Sequence, residues 1–395
     1  MKIVVTGAEG AMAITAINCL LEQSDVSQLV LTYFTSEATV KERIARLGDK
    51  RLEAKPLDLM DVKSAIKIFQ GADVIYNAAS IPTLVSTMKA AIEAGANYLD
   101  LGAFDKSPQR ALSDEFKKKG ITAILGMGLA SGYSNVLSAY CVEKLDKVES
   151  IDIQAAIVDT VPDEEHSYPL HYSFAIESIL HEYSNKGPYF DNGELKWVPA
   201  ASFPEIVTFK PPVGAISVSA VPHSEPVTLS EVFRDKGIKH VSWKESLGTS
   251  FEAKVKFLCA LGLDKEEPID VQGQMVSPRA VLMSLIKNLP LETKKAPDFR
   301  GHLIVIVKGE EGGEKVEYTA VECPSPSLDE RMRKKGALGV YMTGFYGAIG
   351  AMMLARGQIE RKGALYPEEC VPAELYIKEA VRAGDTVEVS RKVIL

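Results

Sequence analysis

The sequence predicts an α/β protein: an N-terminal doubly wound parallel sheet, a second α+β domain with a mixed sheet, and C-terminal helices that return to the first domain. Three observations carry this. Strand-like and helix-like runs alternate about six times over the first 128 residues, with short links. A glycine-spaced turn follows the first strand. After about residue 135 the cadence stops, and longer alternating runs replace it.

The elements follow in order. "KIVVT" (2–6) is a short β-type run. Gly7 to Ala13 turn the chain, and "AITAINCLLEQ" has helical spacing of apolar residues. Strands are expected at 28–34, 51–58, 73–79, 97–102 and 121–128, with helices at 37–47, 61–69, 83–95 and 108–119 between them. "SNVLSAYCVEKL" reads as a helix and "VESIDIQAAIV" (148–158) as a longer strand with no crossover helix after it. "AISVSAV" (215–221) is a further strand. "HLIVIVKGEEGGEKVEYTAVE" (302–322) is a hairpin around a charged Gly-Gly turn. From about 334 to 356 the pattern is helical. The expected domains are 1–135, 136–335 and 336–395.

Composition narrows the function classes. A chain of 395 residues is long for one core and suits two domains or more. A net charge of −8 with dispersed Lys and Arg argues against nucleic acid as a partner. The start has no basic-then-apolar signal pattern, and "GVYMTGFYGAIGAMMLA" is short and Gly-rich for a membrane span. The five cysteines are scattered without a CxxC pair, which fits reduced thiols. The expectation is a cytoplasmic protein with no membrane partner. No Cys, His and carboxylate cluster has metal spacing, so no metal is expected.

The opening loop reads Gly7-x-x-Gly10-x-x-Ala13, one residue longer between the first glycines than the common dinucleotide fingerprint. Its physical demands are still met. Gly7 permits the tight turn, Gly10 lets backbone approach a pyrophosphate, and Ala13 lets the helix pack on the sheet. Ala11 and Met12 open a helix whose N–H groups face a phosphate. The extra Glu9 is expected to point to solvent. Cofactor contacts are also expected from Asp58, from Asn77, Ala78 and Ala79 at the end of strand four, and from Gly102 after strand five. NAD-binding sheets carry an acidic residue at the end of strand two; here Tyr33 and Thr35 stand there. Thr35, Ser36 and Lys41 or Arg43 are suited to a 2′-phosphate, which favours NADP, while Glu37 leaves NAD open.

Fold alone does not give the reaction. "GITAILGMGLASGYSNVLSAY" resembles the segment that closes the nucleotide domain in the saccharopine dehydrogenase-like family, with Gly128, Gly132, Asn135 and Leu137 matching. "YPLHYSFAIESILHEYSNKGPYFDNGELKWVPA" and "VPHSEPVTL" resemble that family's substrate-domain blocks. The tail "GQIERKGALYPEECVPAELYIKEAVRAG" is similar to lysine 6-dehydrogenase-type members. The resemblance runs from end to end. It implies NAD(P)-dependent oxidation of a carbon–nitrogen bond, or its reverse, in a homodimer or larger homo-oligomer. The reading it favours is oxidation of the lysine ε-amine to the semialdehyde. A saccharopine reductase or carboxynorspermidine-type reductase is the alternative, and a non-catalytic NADP(H) sensor is the alternative from another class.

The same resemblance points to site residues. Phe104 and Asp105 correspond to positions near the nicotinamide, although Asp105 also suits a helix cap. Amine oxidation needs a base. His171 and Tyr172 are the candidates beside Asp105. His223 and Thr228 match positions suited to holding a substrate carboxylate.

Overall fold

The computed structural model describes the whole chain except residues 103–104, 169, 290–294 and 338–340. The chain divides into two compact units. The first comprises Met1–Asp146, Glu231–Asp235 and Pro324–Val387; the second comprises Lys147–Ser230, Lys236–Cys323 and Glu388–Leu395.

The first unit is the doubly wound sheet. Strands β1 (Lys2–Thr6), β2 (Gln28–Tyr33), β3 (Leu52–Pro56), β4 (Val74–Asn77), β5 (Asn97–Asp100) and β6 (Thr122–Ile124) pair in parallel. Their spatial order is β6-β5-β4-β1-β2-β3, with the short strand Gly363–Leu365 added beyond β6. β1 is almost fully buried because helices cover both faces, so it reads as a continuous apolar run. The order reverses between β1 and β4, and that is where such sheets bind ligands.

Helix α1 (Ala11–Leu21) follows the opening loop, and α2 (Glu37–Leu47) follows β2. The apolar stretch near the end of the chain forms the helix Met342–Ala355, buried against α1. Its glycines permit this approach: a Cβ at Gly344 would lie 2.3 Å from the Met12 carbonyl oxygen. The expected helix 108–119 is two shorter ones, Ser107–Arg110 and Ser113–Lys119.

The second unit is built on a nine-stranded mixed sheet. Its central strand Lys147–Asp159 pairs in parallel with His240–Ser246 and antiparallel with Phe299–Glu311. The hairpin of Phe299–Glu311 with Glu314–Pro324 turns at Gly312-Gly313, as its alternating pattern predicts. Helices Ile176–Ser184 and Thr249–Ala260 pack together on this unit.

Candidate active site

In the first unit a cavity of about 460 Å³ opens where β1, β2 and β4 end. Gly7, Glu9, Gly10, Thr35, Asp58 and Ala78 are on its wall, as is Ala79. Gly7 has φ +64, and a Cβ there would lie 2.8 Å from the Ala78 and Ala79 backbone, so a side chain is excluded. Gly10 caps α1 in extended conformation and donates its N–H to the Gly7 carbonyl at 2.9 Å. Ala11 and Met12 form the first turn of α1.

Glu9 does not point to solvent. Its carboxylate folds onto the end of β2 and accepts the Phe34 N–H at 3.0 Å, the Thr35 N–H at 2.9 Å and the Thr35 hydroxyl at 2.5 Å. The physical reason is that these donors, left over where β2 stops, need an acceptor. Partial burial opposes ionisation, but the bonds from Thr35 and Phe34 hold the Glu9 carboxyl below its ordinary range.

The groups expected to meet a 2′-phosphate are engaged elsewhere. Arg43 is buried beneath the loop, where its guanidinium donates to the Ala8 carbonyl and, at 3.5 Å each, to those of Gly10 and Glu9. Lys41 pairs with Glu37 at 2.7 Å on the surface of α2. Ser36 caps α2 by accepting the Thr39 N–H. Asp58 is exposed at the cavity and accepts the Met60 N–H at 2.9 Å.

Asn77 is fully buried and starts a hydrogen-bonded chain across the strand ends. It accepts from the Thr6 hydroxyl at 2.6 Å and from the Ala79 N–H at 3.0 Å, and donates to the Tyr98 hydroxyl at 3.0 Å. Tyr98 donates to Asp100 at 3.0 Å. The other Asp100 oxygen accepts the N–H groups of Gly102 at 2.9 Å and Gly126 at 2.8 Å. Burial pushes the Asp100 carboxyl above its ordinary range. Sequence reasoning missed Asp100; a carboxylate inside the apolar run "NYLDLG" was the available signal. It also missed Lys106, which is buried and reaches the Ser131 hydroxyl at 3.3 Å.

Asp105 is exposed and accepts the Ser107 N–H at 2.9 Å, a turn-capping role whose hydrogen bonds hold its carboxyl below the ordinary range. Phe104 lies outside the described residues.

The second unit carries the remaining candidates. His171 is buried in a stack, with ring centroids 3.7 Å from His166 and 4.3 Å from Tyr168. His166 is anchored by Asp159 at 2.9 Å. Burial, and then the charge of His166, lower the His171 pKa. Tyr172 is 40% exposed. Thr228 is buried within the helix Glu225–Val232.

His223 Nδ1 bonds the fully buried Glu225 carboxylate, and its ring stacks on Trp243 at 4.0 Å. A carboxylate on Nδ1 fixes the tautomer and leaves Nε2 to carry or accept a proton. Trp243 and Glu245 lie two residues apart on one strand and so share a face. Glu245 approaches Glu182, and burial pushes both carboxyls above their ordinary range. Both are buried, and Glu182 Oε2 and Glu245 Oε1 have no hydrogen-bond partner among the described residues. Neither glutamate was singled out from the sequence. Among the described residues no three His, Cys, Asp or Glu side chains are grouped to hold a metal, and no helix is long and apolar enough to cross a membrane.

Residues 3–124 match the saccharopine dehydrogenase NADP binding domain, and residues 128–384 match the saccharopine dehydrogenase C-terminal domain. The chain belongs to the saccharopine dehydrogenase family. It is 25% identical over 385 residues to carboxyaminopropylagmatine dehydrogenase of Synechocystis sp., across 94% of this chain and 93% of the relative. It is 27% identical to carboxynorspermidine synthase of Vibrio cholerae, across 82% and 80%. In fold it resembles apo saccharopine dehydrogenase (L-Glu forming) from Saccharomyces cerevisiae, with TM-score 0.71, 16% identity and 100% of both chains covered. It also resembles the Legionella pneumophila homospermidine synthase solved with NAD, with TM-score 0.67, 11% identity, and 99% and 91% covered.

This saccharopine dehydrogenase-like protein is therefore an NAD(P)-binding oxidoreductase. The first unit fits the cofactor on its own geometry. The bare Gly7–Gly10 loop, the open N-terminus of α1 and the cavity at the strand reversal admit a pyrophosphate and an adenosine ribose.

Proposed function

We propose that the enzyme makes or breaks, with a nicotinamide cofactor, the bond between a short amino-acid arm and the nitrogen of a polyamine-type substrate. The observation that carries this is the Glu182–Glu245 pair. Two buried carboxylates with unpartnered oxygens, beside an indole and a carboxylate-backed imidazole, suit an ammonium ion more than any other common ligand group. The names of the two curated relatives support the same class, since each describes a polyamine or agmatine bearing a carboxylated arm.

A nicotinamide cofactor, when bound, would supply the hydride chemistry at carbon. In the oxidative direction the amine nitrogen loses its proton to His223 Nε2, the carbon loses hydride, and a C=N bond forms that water then hydrolyses to an amine and an aldehyde. Glu225 holds His223 in the tautomer that can take this proton. Glu182 and Glu245 hold a second, non-reacting ammonium and so fix which nitrogen reacts.

Oxidation of the lysine ε-amine is the smaller-substrate form of the same chemistry. The tail segment that resembles lysine 6-dehydrogenases has structural duties here: Glu369 forms an ion pair with Arg110 and accepts the Tyr366 N–H at 2.8 Å. It therefore says little about substrate.

The test is a two-way assay of purified protein. One arm offers oxidised cofactor with L-lysine, saccharopine and carboxylated polyamines. The other offers reduced cofactor with a four-carbon amino-acid semialdehyde and a panel of diamines and agmatine. Reduced-nicotinamide absorbance and product mass are followed. Coupling of semialdehyde to a polyamine is expected. Turnover of free lysine as the fastest substrate would replace this reading with the lysine one.

A further inference from the structure

The first unit lacks the acidic residue that NAD-binding sheets place at the end of strand two, yet a carboxylate stands there. It comes from the glycine loop. Glu9 reaches across to Phe34 and Thr35 and joins the cavity wall at the end of β2. We propose that Glu9 receives the adenosine ribose hydroxyls and selects NAD over NADP.

The lone-pair count permits this. A carboxylate offers about four acceptor positions. The Phe34 and Thr35 donors take three, one on Oε2 and two on Oε1, and the Ser36 N–H approaches the carboxylate as a weaker fourth donor. The position left on Oε2 can accept a ribose O–H. A 2′-phosphate has no proton to donate there. It would need the same N–H donors that Glu9 already holds, and it would meet a carboxylate kept ionised by those bonds.

Nothing nearby compensates. The described residues on the cavity wall include two carboxylates, Glu9 and Asp58, and no Lys or Arg. Arg43 of α2 lies under the loop and holds three loop carbonyls. Drawing it out would leave those carbonyls without their donor and loosen the turn that admits the pyrophosphate. Lys41 is paired on the outer face of α2. On this proposal the selection runs towards NAD, against the lean to NADP that the missing strand-two acid suggests and against the NADP in the description of the matching family.

This inference rests on the reading of the first unit as a dinucleotide site. It is tested by binding, without turnover. NADH and NADPH are titrated into the full chain, following nicotinamide fluorescence or heat. The wild type is expected to bind NADH at least about tenfold more tightly, the equivalent of one like-charge contact. Glu9→Gln keeps the shape and removes the charge, and should shrink that ratio to about threefold or less. Glu9→Arg should invert it. Each ratio is measured on one sample, so a partly unfolded preparation does not alter it. Equal or tighter NADPH binding by the wild type, or a ratio that Glu9→Gln leaves unchanged, overturns the role of Glu9 alone. Failure to bind either cofactor overturns the dinucleotide reading and this inference with it.

Discussion

Asp100 in the first unit and Glu245 in the second are both buried carboxylates on strands, and burial raises both pKa values. Their surroundings differ. Asp100 accepts two backbone N–H groups, a tyrosine hydroxyl and the Gln109 amide. Glu245 keeps an oxygen with no partner and faces another glutamate. A satisfied buried carboxylate holds structure together. An unsatisfied one is costly unless something arrives to pair with it. By this contrast Asp100 is satisfied within its own unit before ligand binds, whereas Glu245 keeps an oxygen for the ammonium of the proposed substrate.

The contrast predicts different losses on mutation. The largest concerns His223. On the proposed function its backing by Glu225 readies it to take a proton, so His223→Gln should lower kcat about 100-fold or more while NADH affinity stays within about twofold. An undiminished kcat, or a parallel loss of NADH binding, would make His223 a merely structural residue.

Asp100→Leu comes next, as a stability effect. It leaves the Gly102 and Gly126 N–H groups and the Tyr98 hydroxyl buried without acceptors. The expected loss is about 3 kcal/mol or more, read from the shift in denaturation midpoint of the apo protein. A shift below about 1 kcal/mol would mean that water replaces the carboxylate, and the contrast with Glu245 would collapse.

The sequence made the first unit legible because its signals are local. The strand–helix cadence, Gly7, Gly10 and the small Ala13 each act within a few residues, and the elements they predict stand within a few residues of their observed ends. The site was less legible because its decisive contacts are not local. Glu9 finds partners at 34 and 35, and Arg43 returns to the loop at 8–10. Asp105 suited both a base and a cap in the sequence, and the Ser107 bond shows it capping the turn. In the second unit Glu182 sits on a helix and Glu245 on a strand more than 60 positions later. No spacing rule connects them, and each alone reads as an ordinary surface glutamate.

The smallest expected stability effect belongs to Glu245→Leu, and it is the sharpest test of the comparison. Removing one of two facing carboxylates relieves repulsion and desolvation, so the apo variant should be within about 1 kcal/mol of wild type, or more stable. The sign depends on pH. The folded carboxyls have pKa values raised above the ordinary 4.5, so the folded state keeps protons that the unfolded chain has released. Wild-type stability therefore falls as pH rises from about 4.5 towards the raised values. The variant should lack part of that fall and gain on the wild type as pH increases. A millimolar polyamine should stabilise the wild type at pH 8 by supplying the missing cation, and should do so much less in the variant. A variant destabilised by about 3 kcal/mol and indifferent to polyamine would show that Glu245 holds structure as Asp100 does, and the second unit would then need another basis for recognising an amine.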